Sequence, residues 1–318
     1  MRPVLLTLRI GERVVGIHTY GVLIAAGFAA GIAVAFRQAR RQGLDGGRVL
    51  DLAFWILIAG LLGSRALYAL VHADTFVHAC LGSGSESRTA ARVAWDCTRV
   101  LHVWEGGLVF YGGLLAAAAV LVAFARREGW NPWTIGDVLA PGLALGHAIG
   151  RLGCFAAGCC FGKACPASGG PLCVSFPRDS AAFDDLAALD AVPLGADRTP
   201  PLYPTQLLEA AGELLIFAVL LWLRRRLGRP QAAGDQPNPR SGTLVLVYAG
   251  LYAILRFVVE LFRGDEGRTF VARLATPRLA AALHLPLREP VLLSSGQLLS
   301  IAVLVGVLVL DWRRRAAG

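Results

Sequence analysis

Residues Thr243–Phe262 read TLVLVYAGLYAILRFVVELF, an apolar run whose charged members, Arg256 and Glu260, stand four apart near one end. At about 1.5 Å rise per residue, a helix of about 20 residues covers about 30 Å, the thickness of the hydrocarbon layer of a membrane. A charged side chain inside such a run costs a few kcal/mol on insertion scales, so it implies a buried partner, a water-filled cavity or a ligand. Six further apolar runs of about 17 to 23 residues each accompany it: Tyr20–Phe36, Leu52–Val71, Gly106–Ala125, Thr134–Phe155, Leu207–Leu223 and Leu292–Leu310. The chain of 318 residues is 55% hydrophobic and only 17% charged, against roughly 25% charge in a globular domain. These numbers exclude a soluble protein. The fold expected is all-α, a polytopic membrane protein of seven transmembrane helices forming one integral-membrane domain over 1–318. Met1–Val15 carries Arg2, Arg9 and Arg13 without a compact apolar core or a small-residue cleavage site, so no removable signal peptide is expected.

A net charge of +9 in a soluble chain would point to nucleic acid. Here the basic residues flank apolar runs, and a membrane surface accounts for them, so no nucleic-acid partner is expected. Arg37, Arg40, Arg41 and Arg48 follow the first run, Arg126 and Arg127 the third, and Arg224, Arg225, Arg226 and Arg229 the fifth, while Arg313, Arg314 and Arg315 end the chain. Arginine density beside helix ends marks the cytoplasmic side, which puts the N-terminus in the periplasm and the C-terminus in the cytoplasm. The segments 74–104, 158–204 and 264–290 then lie outside and form a small periplasmic cap. Gln231–Arg240, rich in proline and polar residues, reads as a flexible inner loop.

Under this topology the polar residues that enter the membrane share one depth. Tyr20, Arg65, Tyr68, Tyr111, His147, Arg151, Gln206, Glu209, Glu213, Arg256, Glu260 and Gln297 nearly all fall within roughly 10 to 12 Å of the outer helix ends. One shared cavity is the expectation. Arg256 with Glu260 fits a structural ion pair as well as a functional one. Arg65 and Arg151 have no carboxylate within four residues, so their counter-charge comes from another helix or from a bound anion. An anion is preferred, because guanidinium binds phosphate in a fork. Arginines at outer-leaflet depth, beside lipid and under long loops, fit a phospholipid headgroup.

Several stretches then line up in order: Gly106-Gly107-Leu108-Val109-Phe110-Tyr111-Gly112-Gly113, Gly150-Arg151-Leu152-Gly153-Cys154-Phe155 with Gly158 and Gly162, Tyr203-Pro204-Thr205-Gln206-Leu207-Leu208-Glu209, Arg256-Phe257-Val258-Val259-Glu260-Leu261-Phe262-Arg263, and Ser295-Gly296-Gln297. On a framework of seven spans, this order resembles the prolipoprotein diacylglyceryl transferase family over nearly the whole chain. The resemblance implies a multi-pass enzyme of the bacterial inner membrane. Family members move the diacylglyceryl group of phosphatidylglycerol onto the lipobox cysteine thiol of a preprolipoprotein and release glycerol phosphate. The implied partners are phosphatidylglycerol, the preprolipoprotein signal peptide with its lipobox cysteine, and membrane lipids, with no cofactor. Arg151 matches the family's signature arginine and Arg256 its second essential arginine. Tyr20, Arg65, Gln206, Glu209 and Glu260 fall with the substrate-binding set, together with Gly153, Cys154 and Gly162, whose glycines would let backbone approach a ligand.

The chain departs from the family pattern in two respects. Tyr111 stands where many members have histidine, and is the candidate proton acceptor, although phenol ionises near pH 10 and needs nearby cations to act as a base at neutral pH. Cys154 and Cys159 replace an asparagine and a glutamate of the signature. The seven cysteines, at 80, 97, 154, 159, 160, 165 and 173, all fall on the outer side, where an oxidising compartment permits disulfides. Cys80 with Cys97 makes a natural staple, and the other five leave at least one thiol unpaired. Structural disulfides are preferred over a metal site, because no paired Cys-x-x-Cys pattern occurs. Two other functions compete with the transferase. A membrane thiol–disulfide oxidoreductase would use Cys154, Cys159, Cys160 and Cys165, yet it leaves the buried arginines unexplained. A non-enzymatic seven-helix phospholipid-binding protein would hold the lipid without releasing glycerol phosphate.

Overall fold

Apolar runs become helices here because a backbone in hydrocarbon has to satisfy its own N–H and C=O groups. The computed structural model describes residues 4–10, 13–81, 95, 97–102, 106–166, 172–227, 241–265, 270–274, 276–286 and 291–316. In chain order these form β1 (Val4–Ile10), β2 (Arg13–His18), α1 (Thr19–Arg41), α2 (Gly46–Val71), α3 (Ala73–Leu81), α4 (Phe110–Arg127), α5 (Pro132–Ala157), α6 (Ala181–Ala188), α7 (Thr205–Leu227), α8 (Thr243–Phe262), β3 (Phe270–Leu274), α9 (Pro277–Ala282), β4 (Leu292–Ser294) and α10 (Ser295–Ala316). Helices α1, α2, α4, α5, α7, α8 and α10 are the 7 long and apolar enough to cross a membrane. The inner loop Gln231–Arg240 lies outside the described residues, as do parts of all three outer segments.

Two spans start later than the sequence expectation. The third helix begins at Phe110 rather than Gly106, because Gly106 and Gly107 take φ of 84° and 70°, a left-handed backbone that cannot start a right-handed helix. The seventh begins at Ser295, since Leu292–Ser294 pairs as β4 with β3. Ser294 and Gln297 close that helix reciprocally. The Gln297 backbone N–H donates to Ser294 Oγ at 3.2 Å and the Ser294 N–H to Gln297 Oε1 at 3.1 Å, a capping box. Gln297 also donates to the Val291 carbonyl at 3.2 Å. It is a helix cap, not the cavity group expected from its depth. The β1–β2 hairpin ahead of the first span is an element that hydropathy did not reveal.

The helices fall into two compact units, Met1–Gln38 with Gly136–Gln231 and Asp235–Gly318, and Ala39–Ile135 with Ala232–Gly234. In the first, α1 lies on α5 through glycines spaced four apart on both helices. A Cβ on Gly27 would stand 2.7 Å from the Gly146 carbonyl oxygen, and one on Gly31 would stand 2.8 Å from that of Gly142. This is the small-residue packing of membrane helices, where close backbone approach supplies the contact. Ala140 and Ala144 of α5, Ile216 and Leu220 of α7 and Leu244 of α8 form the buried core beside it. At the arginine-rich end of α7, the Asp137 carboxylate accepts from the N–H groups of Gly242 and Val245 at 2.7 and 2.9 Å. It satisfies donors that a helix N-terminus leaves unpaired. Arg224 donates to the Asp137 carbonyl at 2.6 Å.

The opposite end of the first unit carries the cap. Phe161, Phe176, Ala182 and Leu202 make a small core packed by Phe155 and Leu186, and Cys165 is bonded to Cys173. Ser180 starts α6 by accepting from the Phe183 N–H at 3.3 Å, as an N-cap residue does. A second cluster of Ala280, Leu285 and Val291 rests on Tyr203, Leu261 and Phe262. In the second unit, α2 packs along α4, and the Val109 N–H donates to the Ser64 carbonyl at 3.1 Å. The expected Cys80–Cys97 disulfide is present. At the other end of α2, Arg48 forks onto Glu128 at 3.0 and 2.7 Å.

Candidate active site

His147 and Arg151 on α5, Glu209 and Glu213 on α7, and Tyr252, Arg256 and Glu260 on α8 repeat at intervals of four, which places each set on one face of its helix. The three faces meet within the first unit. Arg151 Nη2 lies 2.9 Å from Glu209 Oε1, Arg256 Nη1 lies 3.6 Å from Glu209 Oε2, and Arg256 Nη2 lies 2.7 Å from Glu260 Oε2. The chain of charges continues through Arg263, 3.7 Å from Glu260, to Asp265, which takes a forked pair at 2.5 and 2.9 Å. His147 Nδ1 stands 2.7 Å from Glu213 Oε1, and Arg151 Nε donates to His147 Nε2 at 3.3 Å. Because Nε2 accepts, the proton belongs on Nδ1, facing Glu213. Tyr252 donates its hydroxyl to Glu209 Oε1 at 3.5 Å.

The carboxylates are almost completely buried, at 2%, 0% and 3% side-chain exposure for Glu209, Glu213 and Glu260, while Arg151 and Arg256 keep 16% and 17%. Arg151 is therefore neutralised by a carboxylate from another helix, which corrects the preference for a bound anion as its counter-charge. Arg151 and Arg256 set against Glu209 and Glu260 leave no excess of positive charge. What remains is donor capacity. A guanidinium carries five N–H donors, and Arg151 Nη1 has no partner among the described residues.

Directly after α5 the chain reverses through Gly158 and Cys160, at φ of 75° and 58°. The first turn of α7 clamps this reversal: Gln206 Nε2 donates to the Cys159 carbonyl and Thr205 Oγ1 to that of Cys160, each at 2.7 Å. Gln206 Oε1 is buried without a hydrogen-bond partner. Cys154, Cys159 and Cys160 are free thiols, with sulfurs all within 4.8 Å of one another. Hydrogen bonds from Cys154 and Cys159 hold the Cys160 thiol well below the usual range. Arg151 and Arg263 add to that effect against burial.

The remaining expected site residues divide. Tyr20 opens α1 beside Gly153, where an added Cβ would sit 3.4 Å from the Tyr20 carbonyl oxygen and from Leu23 Cβ. Gly153 therefore serves contact between α1 and α5. An added Cβ on Gly162 would lie 2.7 Å from Tyr203 Cβ and 2.9 Å from the Phe262 carbonyl oxygen, so chain packing in the cap fills its open side. Arg65, in the second unit, donates to the carbonyls of Arg99, Val100, Gly106 and Gly107 at 2.5, 2.8, 2.6 and 3.2 Å. Among the described residues its hydrogen-bond partners are these four peptide oxygens. Tyr111 starts α4 in the same unit, 43% exposed with its ring edge-on to Phe110, and no group among the described residues hydrogen-bonds its hydroxyl. His147, Glu213, Tyr252 and the Arg263–Asp265 pair join the array without having been singled out as site residues. The interval of four was the signal that connected His147, Glu213 and Tyr252, while Arg263 stands three residues after Glu260.

The family model for prolipoprotein diacylglyceryl transferase matches residues 6–313. A protein of Clostridium perfringens named phosphatidylglycerol–prolipoprotein diacylglyceryl transferase 2 is 26% identical over 294 residues, covering 92% of this chain and 90% of the relative. Proteins named phosphatidylglycerol–prolipoprotein diacylglyceryl transferase are 30% identical over 250 residues in Synechococcus elongatus, covering 79% and 74% of the two chains. In Geobacillus kaustophilus the identity is 31% over 252 residues, covering 79% and 78%. With seven apolar helices, an ordered arginine–glutamate array and a family match along nearly its whole length, the chain belongs to the prolipoprotein diacylglyceryl transferase family.

Proposed function

We propose that this chain transfers the diacylglyceryl group of phosphatidylglycerol to the lipobox cysteine thiol of a preprolipoprotein, forming a thioether and releasing glycerol phosphate. The observation that carries this reading is the buried array Arg151–Glu209–Arg256–Glu260, with donors of Arg151 left over, beneath a disulfide-stapled cap. As the glycerol C–O bond breaks, charge collects on the departing phosphate. Fixed guanidinium donors aimed at that oxygen favour the transition state over the ground state. Glu209 and Glu260 hold the two guanidiniums in place, and His147, itself held by Glu213, fixes the Arg151 fork from its Nε side. Arg151 and Arg256 are the groups assigned to the phosphate, while Tyr20, Gln206 and Cys154 border the same end of the first unit. Among the described residues Tyr111 has no hydrogen-bond partner for its hydroxyl, and it stays the candidate proton acceptor. Arg65 holds the carbonyls of Arg99, Val100, Gly106 and Gly107.

The arginine-rich helix ends are placed in the cytoplasm, the array and cap on the periplasmic side of the bacterial inner membrane. Purified protein in detergent, given phosphatidylglycerol and a lipobox peptide, is expected to yield a thioether-linked diacylglyceryl peptide detectable by mass spectrometry. Arg151→Ala is expected to lower the rate by about 100-fold or more, as removal of one preorganised donor to a developing oxyanion does. Turnover that survives this substitution rejects the phosphate role.

A further inference from the structure

Once the two disulfides are formed, Cys154, Cys159 and Cys160 remain, and the fold gathers their sulfurs within 4.8 Å of one another. They come from the last turn of α5 and the reversal behind it. The Cys159 N–H donates to the Cys154 carbonyl at 3.1 Å, and α7 grips the next two carbonyls through Gln206 and Thr205. A tetrahedral metal–thiolate centre with bonds of about 2.3 Å sets its sulfurs about 3.8 Å apart, so each needs to move inward by no more than roughly 0.6 Å. Thiolates select zinc among the common divalent ions. Three thiolates on a divalent cation leave one negative charge, and the cations acting on Cys160 are Arg151 and Arg263. Three protein ligands also leave a tetrahedral ion one open position, the arrangement of a catalytic rather than a structural zinc site. The sequence pattern concealed this, because the ligands are spaced Cys-x-x-x-x-Cys-Cys rather than in Cys-x-x-Cys pairs.

We propose that Cys154, Cys159 and Cys160 bind one zinc(II) ion whose open position takes the sulfur of the substrate cysteine. The proposal rests on the transferase reading and supplies an activation of the substrate thiol that does not depend on Tyr111. On coordination the substrate thiol loses its proton to solvent, because a metal-bound thiol is held as thiolate. A sulfur lone pair then forms the C–S bond to the glycerol carbon. The C–O bond to phosphate breaks, its electron pair leaving on the phosphate oxygen. The departing glycerol phosphate takes up one proton, so the proton released at the start is recovered, and no atom changes oxidation state.

The full-length protein in detergent, stripped with a chelator and titrated anaerobically with cobalt(II), is expected to bind one equivalent with thiolate charge-transfer absorption and tetrahedral visible bands. A lipobox peptide strengthens the charge-transfer band, and the same peptide with serine for cysteine does not. Zinc(II) restores lipidation to the stripped enzyme, which without metal is slower by about 100-fold or more, the least that a positioned proton transfer contributes. Cys159→Ser and Cys160→Ser each lose the equivalent of metal. Should either variant fail to fold, the wild-type protein still decides, since three thiols become alkylatable on chelation. Full-rate lipidation by stripped enzyme overturns the proposal, as does the absence of the cobalt charge-transfer band. So does a single alkylatable thiol, which makes the trio a disulfide and a lone cysteine. Stoichiometric metal that ligates the peptide thiol, with no product from phosphatidylglycerol, instead removes the transferase reading and leaves the metal site standing.

Discussion

Arg65 shows how one guanidinium in a membrane helix can be structural. It gives hydrogen bonds to the carbonyls of Arg99, Val100, Gly106 and Gly107 and lies 5.4 Å from the Tyr68 ring centroid and 5.5 Å from that of Phe76. Carbonyls turned toward it by the left-handed Gly106 and Gly107 replace the water a free arginine would bind. Arg65→Gln cannot span those oxygens, and acceptors left buried without donors cost about 1–3 kcal/mol each. The variant is expected to lower the thermal midpoint in detergent by several degrees, while KM for phosphatidylglycerol in the folded fraction stays unchanged. A raised KM with unchanged stability returns Arg65 to the lipid-binding set. Arg151 looks the same in sequence, an arginine without a nearby carboxylate, yet it meets Glu209 and His147. Partners from other elements decide each arginine's role, and sequence spacing does not contain them.

Helices are where the sequence was most legible. Run length found all seven spans because the hydrocarbon layer imposes it, and the interval of four aligned His147 with Arg151, Glu209 with Glu213, and Arg256 with Glu260. Ends were less legible. Gly106 and Leu292 are as apolar as the helices they precede, and only backbone conformation or strand pairing removes them. The β1–β2 hairpin has no hydropathy signature, and the clustering of three sulfurs depends on a reversal stabilised by α7. Asp137 makes a test at this scale. Its carboxylate caps α8 from a neighbouring helix, and ten residues of helix place it about 15 Å from His147. Asp137→Ala is expected to destabilise the fold by about 1–3 kcal/mol through unsatisfied buried N–H groups, seen as a lower thermal midpoint with kcat retained in the folded protein. A large loss of kcat at unchanged midpoint shows instead that this capping end communicates with the array.

For the molecule as a whole, two independent pieces of chemistry support the proposed sides of the membrane. Arginines crowd the last turns of α1, α4 and α7, at Arg40 and Arg41, Arg126 and Arg127, and Arg224, Arg225 and Arg226, and a chain inserted by the positive-inside rule keeps those turns in the cytoplasm. The disulfides Cys80–Cys97 and Cys165–Cys173 follow α2 and α5, whose exits lie opposite the arginine-rich ends in a chain that alternates sides. Disulfides persist in an oxidising compartment and are rare in the cytosol. Charge and redox chemistry therefore support the same proposal, in which the C-terminus of α10, with Arg313 and Arg314, lies inside. A C-terminal fluorescent-protein fusion is expected to be bright and a C-terminal alkaline-phosphatase fusion inactive. A phosphatase joined after Cys173 should be active, because that enzyme matures only where disulfides form. The reversed pattern would place both native disulfides and the three remaining thiols in a reducing compartment, and with them the entire lipid-facing assignment of the array would fall on the wrong leaflet.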